Sequence, residues 1–103
     1  MDKTPYMYLF IREDLSIPQQ IVQTAHAVDE MGKQHKHSKV TNHMVLFPAK
    51  HEADLKSISD KLEMLGIEHH MFWEPDVSAF TAIATRPLIG DERIPLRKYR
   101  LLK

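Results

Sequence analysis

"YLFIREDLSIPQQIVQTAHAV", residues 8–28, decides the fold, because two periodicities meet inside it. Its first part belongs to Tyr6–Arg12, a nearly unbroken apolar run rich in aromatic and β-branched side chains, as expected of a strand buried on both faces. The spacing of apolar residues then lengthens to three and four. Ser16 stands where an N-cap belongs, and Gln19 three residues on fits the capping-box pattern. Pro18 falls in the first turn, where its missing N–H does no harm. The pattern predicts a helix from Ile17 to about Met31, ended by Gly32. On it Gln19, Gln23, His26 and Glu30 recur at spacings of 4, 3 and 4, one continuous polar ridge. Ile17, Ile21, Ala25 and Val28 form an apolar stripe opposed to it. By periodicity alone the ridge faces water and the stripe faces the core.

Outward from this stretch, residues 33–41 are polar and patternless, a surface loop. His43–Phe47 reads as a second short buried strand, stopped by Pro48. Leu55, Ile58, Leu62 and Leu65 recur at helical spacing, and Gly66 sits where a C-terminal cap glycine belongs. Residues 68–74 make a third, more polar strand, residues 75–79 a turn, and Phe80–Thr85 a fourth strand. The order is β-α-β-α-β-β. Strand–helix–strand units imply parallel pairing with right-handed crossovers, and the short last connection implies an antiparallel hairpin. The expected fold is α/β, with a mixed sheet and helices on its faces. The edge where strands run into helix N-termini, residues 12–20, is where such folds place function.

The totals narrow the classes. At 103 residues the chain supports one core, hence a single domain spanning 1–103. No apolar run approaches the roughly 18 residues a membrane helix needs, and the start lacks the plan of a signal peptide. With Cys 0 there is no disulfide or thiolate chemistry, so the expected location is cytoplasmic. Formal net charge is +0, which removes any global pull on nucleic acid. The distribution is uneven: Arg93, Arg97, Lys98, Arg100 and Lys103 follow one another without an acid. They are either a solvated tail or a phosphate-contacting patch with Tyr99 as a stacking ring. Of the 7 histidines, His35 and His37 lack a third ligand at a known spacing. His69 and His70 point to opposite faces of a strand. No metal and no cofactor are expected. The three glycines are not clustered into a phosphate loop, and no serine sits in a nucleophile elbow.

Several of these residues occur in a familiar order. Arg12, Asp14, Leu15, Gln23, His26 and Ala27 resemble the opening of the type 2 peptidyl-tRNA hydrolases, where a strand leads into Arg-x-Asp-Leu and a helix carries Gln-x-x-His-Ala. Asp76, Thr81 and Pro87 in "PDVSAFTAIATRP" resemble that family's acidic turn and following Thr-containing strand. The resemblance covers nearly the whole chain. It implies a three-layer α/β sandwich with a mixed, mostly parallel four-stranded sheet. It also implies hydrolysis of the ester joining a peptide, or an amino acid, to tRNA, in a metal-free site on a homodimer. The implied site residues are His26, Asp76, Thr81 and Gln23: His26 or Asp76 as the base that activates water, Gln23 and Thr81 as donors to the oxyanion. Gln19, Arg12, Arg97, Lys98 and Arg100 are the expected substrate contacts. The family's turn carries a lysine where this chain has Gln19, and the segment after Asp76 is shortened to "VSAF". Those departures leave two alternatives: a binding module on the same fold that holds an RNA end or nucleotide without cleaving it, and a scaffold whose helices support a dimer.

Overall fold

The computed structural model describes residues 3–35 and 40–101, so His37 and Lys103 lie outside the described residues. The elements are β1 (Tyr6–Arg12), α1 (Ile17–Gln34), β2 (His43–Ala49), α2 (Glu52–Met64), β3 (His69–Glu74), β4 (Ala79–Thr85) and a 3-10 segment, Gly90–Leu96.

The strands form one sheet in the order β2-β1-β4-β3. β1 and β2 pair in parallel, with Tyr6 opposite His43, while β4 is antiparallel to both β1 and β3. The expected mostly parallel sheet is therefore corrected: the sheet is mixed and mostly antiparallel. β1, β2 and β3 do share a direction, as the two helical crossovers require. The hairpin then inserts β4 between β1 and β3, converting two adjacencies into antiparallel ones. Burial explains the insertion. Residues 81–85 are all buried, so β4 belongs in the interior of the sheet, whereas the half-buried β3 takes an edge. β2 holds the other edge, which is why Pro48 sits inside the strand rather than ending it.

Alternation along β1 builds two cores. Met7, Leu9 and Ile11 meet Ala27 and Met31 of α1 on one face. Tyr8 and Phe10 meet Phe47 and the Leu55, Ile58 and Leu62 ridge of α2 on the other. Each such fully buried aliphatic side chain stabilises the fold by about 1.5–3 kcal/mol. α2 ends as its sequence predicts: Gly66 has φ 71°, Ile67 N–H donates to Leu62 O at 3.0 Å and Gly66 N–H to Glu63 O at 3.0 Å.

α1 departs from its prediction. It starts at the Ser16 cap, where Gln19 N–H donates to Ser16 Oγ, but it passes through Gly32 to Gln34. Its orientation is also corrected. Gln23 is 2% exposed beside the fully buried Ala27 and Met31, while Ile17 and Ile21 are 72% and 66% exposed. The helix is rotated so that part of its polar ridge faces the sheet.

Candidate functional site

The reason for that rotation lies on β4. In the β3–β4 ladder Phe72 opposes Ala82 but Trp73 opposes Phe80, leaving Thr81 as an extra residue in a bulge. The bulge turns Thr81 and Ala82 onto the same face, towards α1, while Phe80 stays with the α2 core. Backbone groups at the bulge are satisfied by side chains. Arg12 Nη1 donates to Phe80 O at 3.1 Å, and Phe80 N–H donates to Glu52 Oε2 at 2.8 Å. Arg12 is also clasped by Asp14 at 2.9 and 2.8 Å, and this hydrogen-bonded guanidinium holds the Asp14 carboxyl below its usual range.

Gln23 connects the bulge to β3. Its Nε2 donates to Glu74 Oε2 at 2.8 Å and to Gln19 Oε1 at 3.1 Å, and its Oε1 accepts from Thr81 Oγ1 at 2.8 Å. The chemistry fixes every orientation in this chain. Ionised Glu74 can only accept, so Gln23 must turn its amino group to it and its carbonyl to Thr81. Thr81 must then donate, and Gln19 must offer its oxygen. Glu74 is held below its usual range chiefly by the Gln23 hydrogen bond, then by Asp76 N–H at 3.2 Å, with a smaller contribution from the charge of His26. His26 itself is exposed and stacks flat on Phe72, ring centroids 4.8 Å apart at 11°.

Gln19, Gln23, His26 and Thr81 are thus brought to one place by the start of β4 and the first turns of α1. Asp76 joins through its backbone N–H, on an exposed turn. Arg12 lies next to the group, at the bulge. Arg97, Lys98 and Arg100 are not brought to it. They flank Tyr99, which packs edge-on to Phe10 at 5.1 Å in the α2 core, on the opposite face of the sheet. Burial pushes the Tyr99 hydroxyl above its usual range. Arg93 is engaged by Tyr8, donating to its hydroxyl at 2.7 Å. His69 bonds Ser59 of α2 and His70 bonds Gln34 of α1, on opposite faces as their adjacency predicts. Among the described residues no group of three potential ligands is placed to hold a metal ion. No helix among them is long and apolar enough to cross a membrane.

The residue the sequence reading missed is Glu74. Strand alternation carried a signal, since His70, Phe72 and Glu74 share the face that α1 covers. The structure also changes the roles assigned to Gln23 and Thr81. Both Gln23 amino protons and the Thr81 hydroxyl proton are engaged within the cluster, so neither side chain has a donor left for an oxyanion. The amide Nε2 of Gln19, whose oxygen is fixed by Gln23, is the donor that this chain of bonds leaves facing outward.

No family model and no curated protein matches the chain by sequence. Among solved structures it is similar to the protein of unknown function Atu0240 from Agrobacterium tumefaciens strain C58, at a TM-score of 0.67 and 11% identity, over 97% of this chain and 98% of that one. At that identity the likeness shows the fold alone.

Proposed function

We propose that the chain hydrolyses an acyl ester on ribose, of the peptidyl-tRNA or aminoacyl-tRNA class, in the cytoplasm. The observation that carries this reading is the buried Gln23 amide, fixed at three points by Glu74, Gln19 and Thr81, with His26 exposed one turn further along the helix. In this mechanism His26 takes the proton of the attacking water, and the water oxygen adds to the ester carbonyl. Glu74, within electrostatic reach of His26, stabilises the imidazolium that forms. The carbonyl oxygen, now negative, is met by Gln19 Nε2. Collapse releases the ribose hydroxyl, which recovers the proton from His26. Gln23 and Thr81 act as positioning residues. The order of Arg12, Asp14, Gln23, His26 and Thr81 along the chain supports the substrate class.

The test is turnover of an N-blocked aminoacyl-tRNA. Wild type is expected to release the blocked amino acid above the spontaneous rate, and His26→Ala to lose about 10²–10⁴-fold, the usual contribution of a general base. Tight tRNA binding without release would favour the binding module. The homodimer belongs to the same proposal. It is supported by Ile17 and Ile21 on the exposed flank of α1 and by Met44, exposed on the edge strand β2. A second copy pairing through that flank would cover all three.

A further inference from the structure

At the other end of the sheet three chain segments converge. His43 N–H donates to Pro5 O at 2.9 Å, and Tyr6 and Leu88 exchange backbone hydrogen bonds of 2.9 and 2.8 Å. Residues 3–5 and 40–43 with Pro87 and Ile89 thereby wall an open cavity of about 780 Å³, within the range of small-molecule sites. Its lining is chemically one-sided. Lys3, His35 and His43 supply cationic or protonatable groups, Pro5, Pro87 and Ile89 an apolar wall, and among the described residues that line it none is acidic. The nearby carboxylate of Glu68 bonds His35 Nδ1 at 3.0 Å. His43 stacks on Tyr6 at 4.9 Å, and the Arg93 guanidinium lies 3.4 Å from the centre of that same ring, which adds a fixed positive charge behind the wall.

We infer that this cavity binds a phosphorylated nucleoside. A site with an ammonium group and two imidazoles on one side and an apolar wall on the other fits a ligand that carries an anion at one end and a ring system at the other. The phosphate meets Lys3 and His43, and the ring lies on Pro5, Pro87 and Ile89. A bare anion would leave the apolar wall uncovered, and an uncharged ring would make no use of the Lys3 ammonium. The cavity is separate from the His26 cluster: it lies at the start of β1 and the cluster near its end, roughly 20 Å away along seven residues of strand. Such a phosphate can come from a free nucleotide or from the phosphorylated end of an RNA.

The experiment titrates adenosine 5′-monophosphate into the protein and follows binding by calorimetry and by backbone amide shifts at Thr41, His43 and Ile89. Saturable binding is expected, with adenosine and inorganic phosphate each roughly tenfold weaker. Ile89→Asp puts a carboxylate into the wall at the N-cap of the 3-10 segment, a position where Asp is well accepted, so the fold is kept. It should weaken binding roughly tenfold or more through like-charge repulsion. Lys3→Gln, at an exposed position, should weaken it roughly three- to fivefold. A 5′-phosphorylated RNA oligonucleotide that outcompetes the mononucleotide identifies an RNA end as the source, and one that does not identifies the free nucleotide. Absence of saturable binding at millimolar nucleotide, or affinity unchanged by Ile89→Asp in a protein that melts normally, overturns the inference. His26→Ala should leave nucleotide affinity unchanged, so this site and the ester site fail or stand separately.

Discussion

The two long helices of this protein obey opposite rules. α2 buries Leu55, Ile58 and Leu62 and shows most of its charges to water. α1 buries Gln23 with Ala27 and Met31 and leaves Ile17 and Ile21 in the open. The difference is one of partners. An apolar ridge needs only to leave water, and any apolar sheet face will serve. An inward amide needs a matching acceptor and donor at the right places, or its burial costs more than it returns. Glu74 and Thr81 supply them, and α1 turns to reach them.

The comparison breaks or sharpens at named positions. Leu62→Ala should lower the stability of the α2 layer most, by about 2–5 kcal/mol in urea unfolding, since it opens a cavity in a filled core. Gln23→Ala should cost about 1–3 kcal/mol, because it leaves the buried Thr81 hydroxyl without its acceptor. Equal stability of Gln23→Ala and wild type would mean that the cluster does not set the rotation of α1.

The third test uses pH. The carboxyl of Glu74 is held below its usual value, so its contribution to stability is complete above the unfolded carboxylate value of about 4.3. That contribution is lost as pH falls through the lower folded value. Glu74→Gln should remove this part of the acid dependence, and should also free Gln23 and Gln19 to turn over. The side-chain amide resonances of both glutamines, read across that pH window, should move in wild type and not in the variant. Titration-independent resonances in wild type would separate Glu74 from the orientation of the chain of amides.

The smallest effect on monomer stability is expected on the exposed flank. Ile21→Gln should change unfolding free energy by no more than about 0.5 kcal/mol. Its readout is mass: light scattering should move from twice the 12.0 kDa chain towards 12.0 kDa if the α1 flank is where copies meet. A wild type that already scatters as a monomer at micromolar concentration removes the dimer from the proposal.

How much of this was legible in the sequence follows from the same contrast. The end of α2 was readable, because Gly66 and the leucine spacing are local signals, although Leu65 falls just past the helix and is half exposed. The presence of α1 was readable from Ser16 and Pro18, but its facing was not. Periodicity measures where polar residues recur, and it treats water and a ring of protein partners as the same thing. Gln23 finds those partners 51 and 58 residues away. The sheet was half legible. Strand directions follow from crossover rules, but adjacency depends on which strand most needs burial, and the apolar run of β4 outweighed the polar β3. Gln23 and Thr81, which the resemblance singles out, do hydrogen-bond, and His26 stacks on Phe72 beside them. Glu74 was not singled out, because nothing in "FWEP" distinguishes a site carboxylate from a strand-end one.

The bulge at Thr81 has a consequence for how such a site can be gained or lost. Phe80 and Ala82 already face opposite sides of the sheet, which is what adjacent residues of a regular strand do. Deleting the single codon for Thr81 would therefore straighten the ladder without turning any other β4 residue to the wrong face. The cluster would lose its hydroxyl and the buried Thr81 side chain, while Phe80 and Ala82 would keep the faces they have. One in-frame deletion would thus separate a chain that holds Gln23 at three points from one that keeps the same strand faces but leaves the Gln23 carbonyl oxygen without its donor.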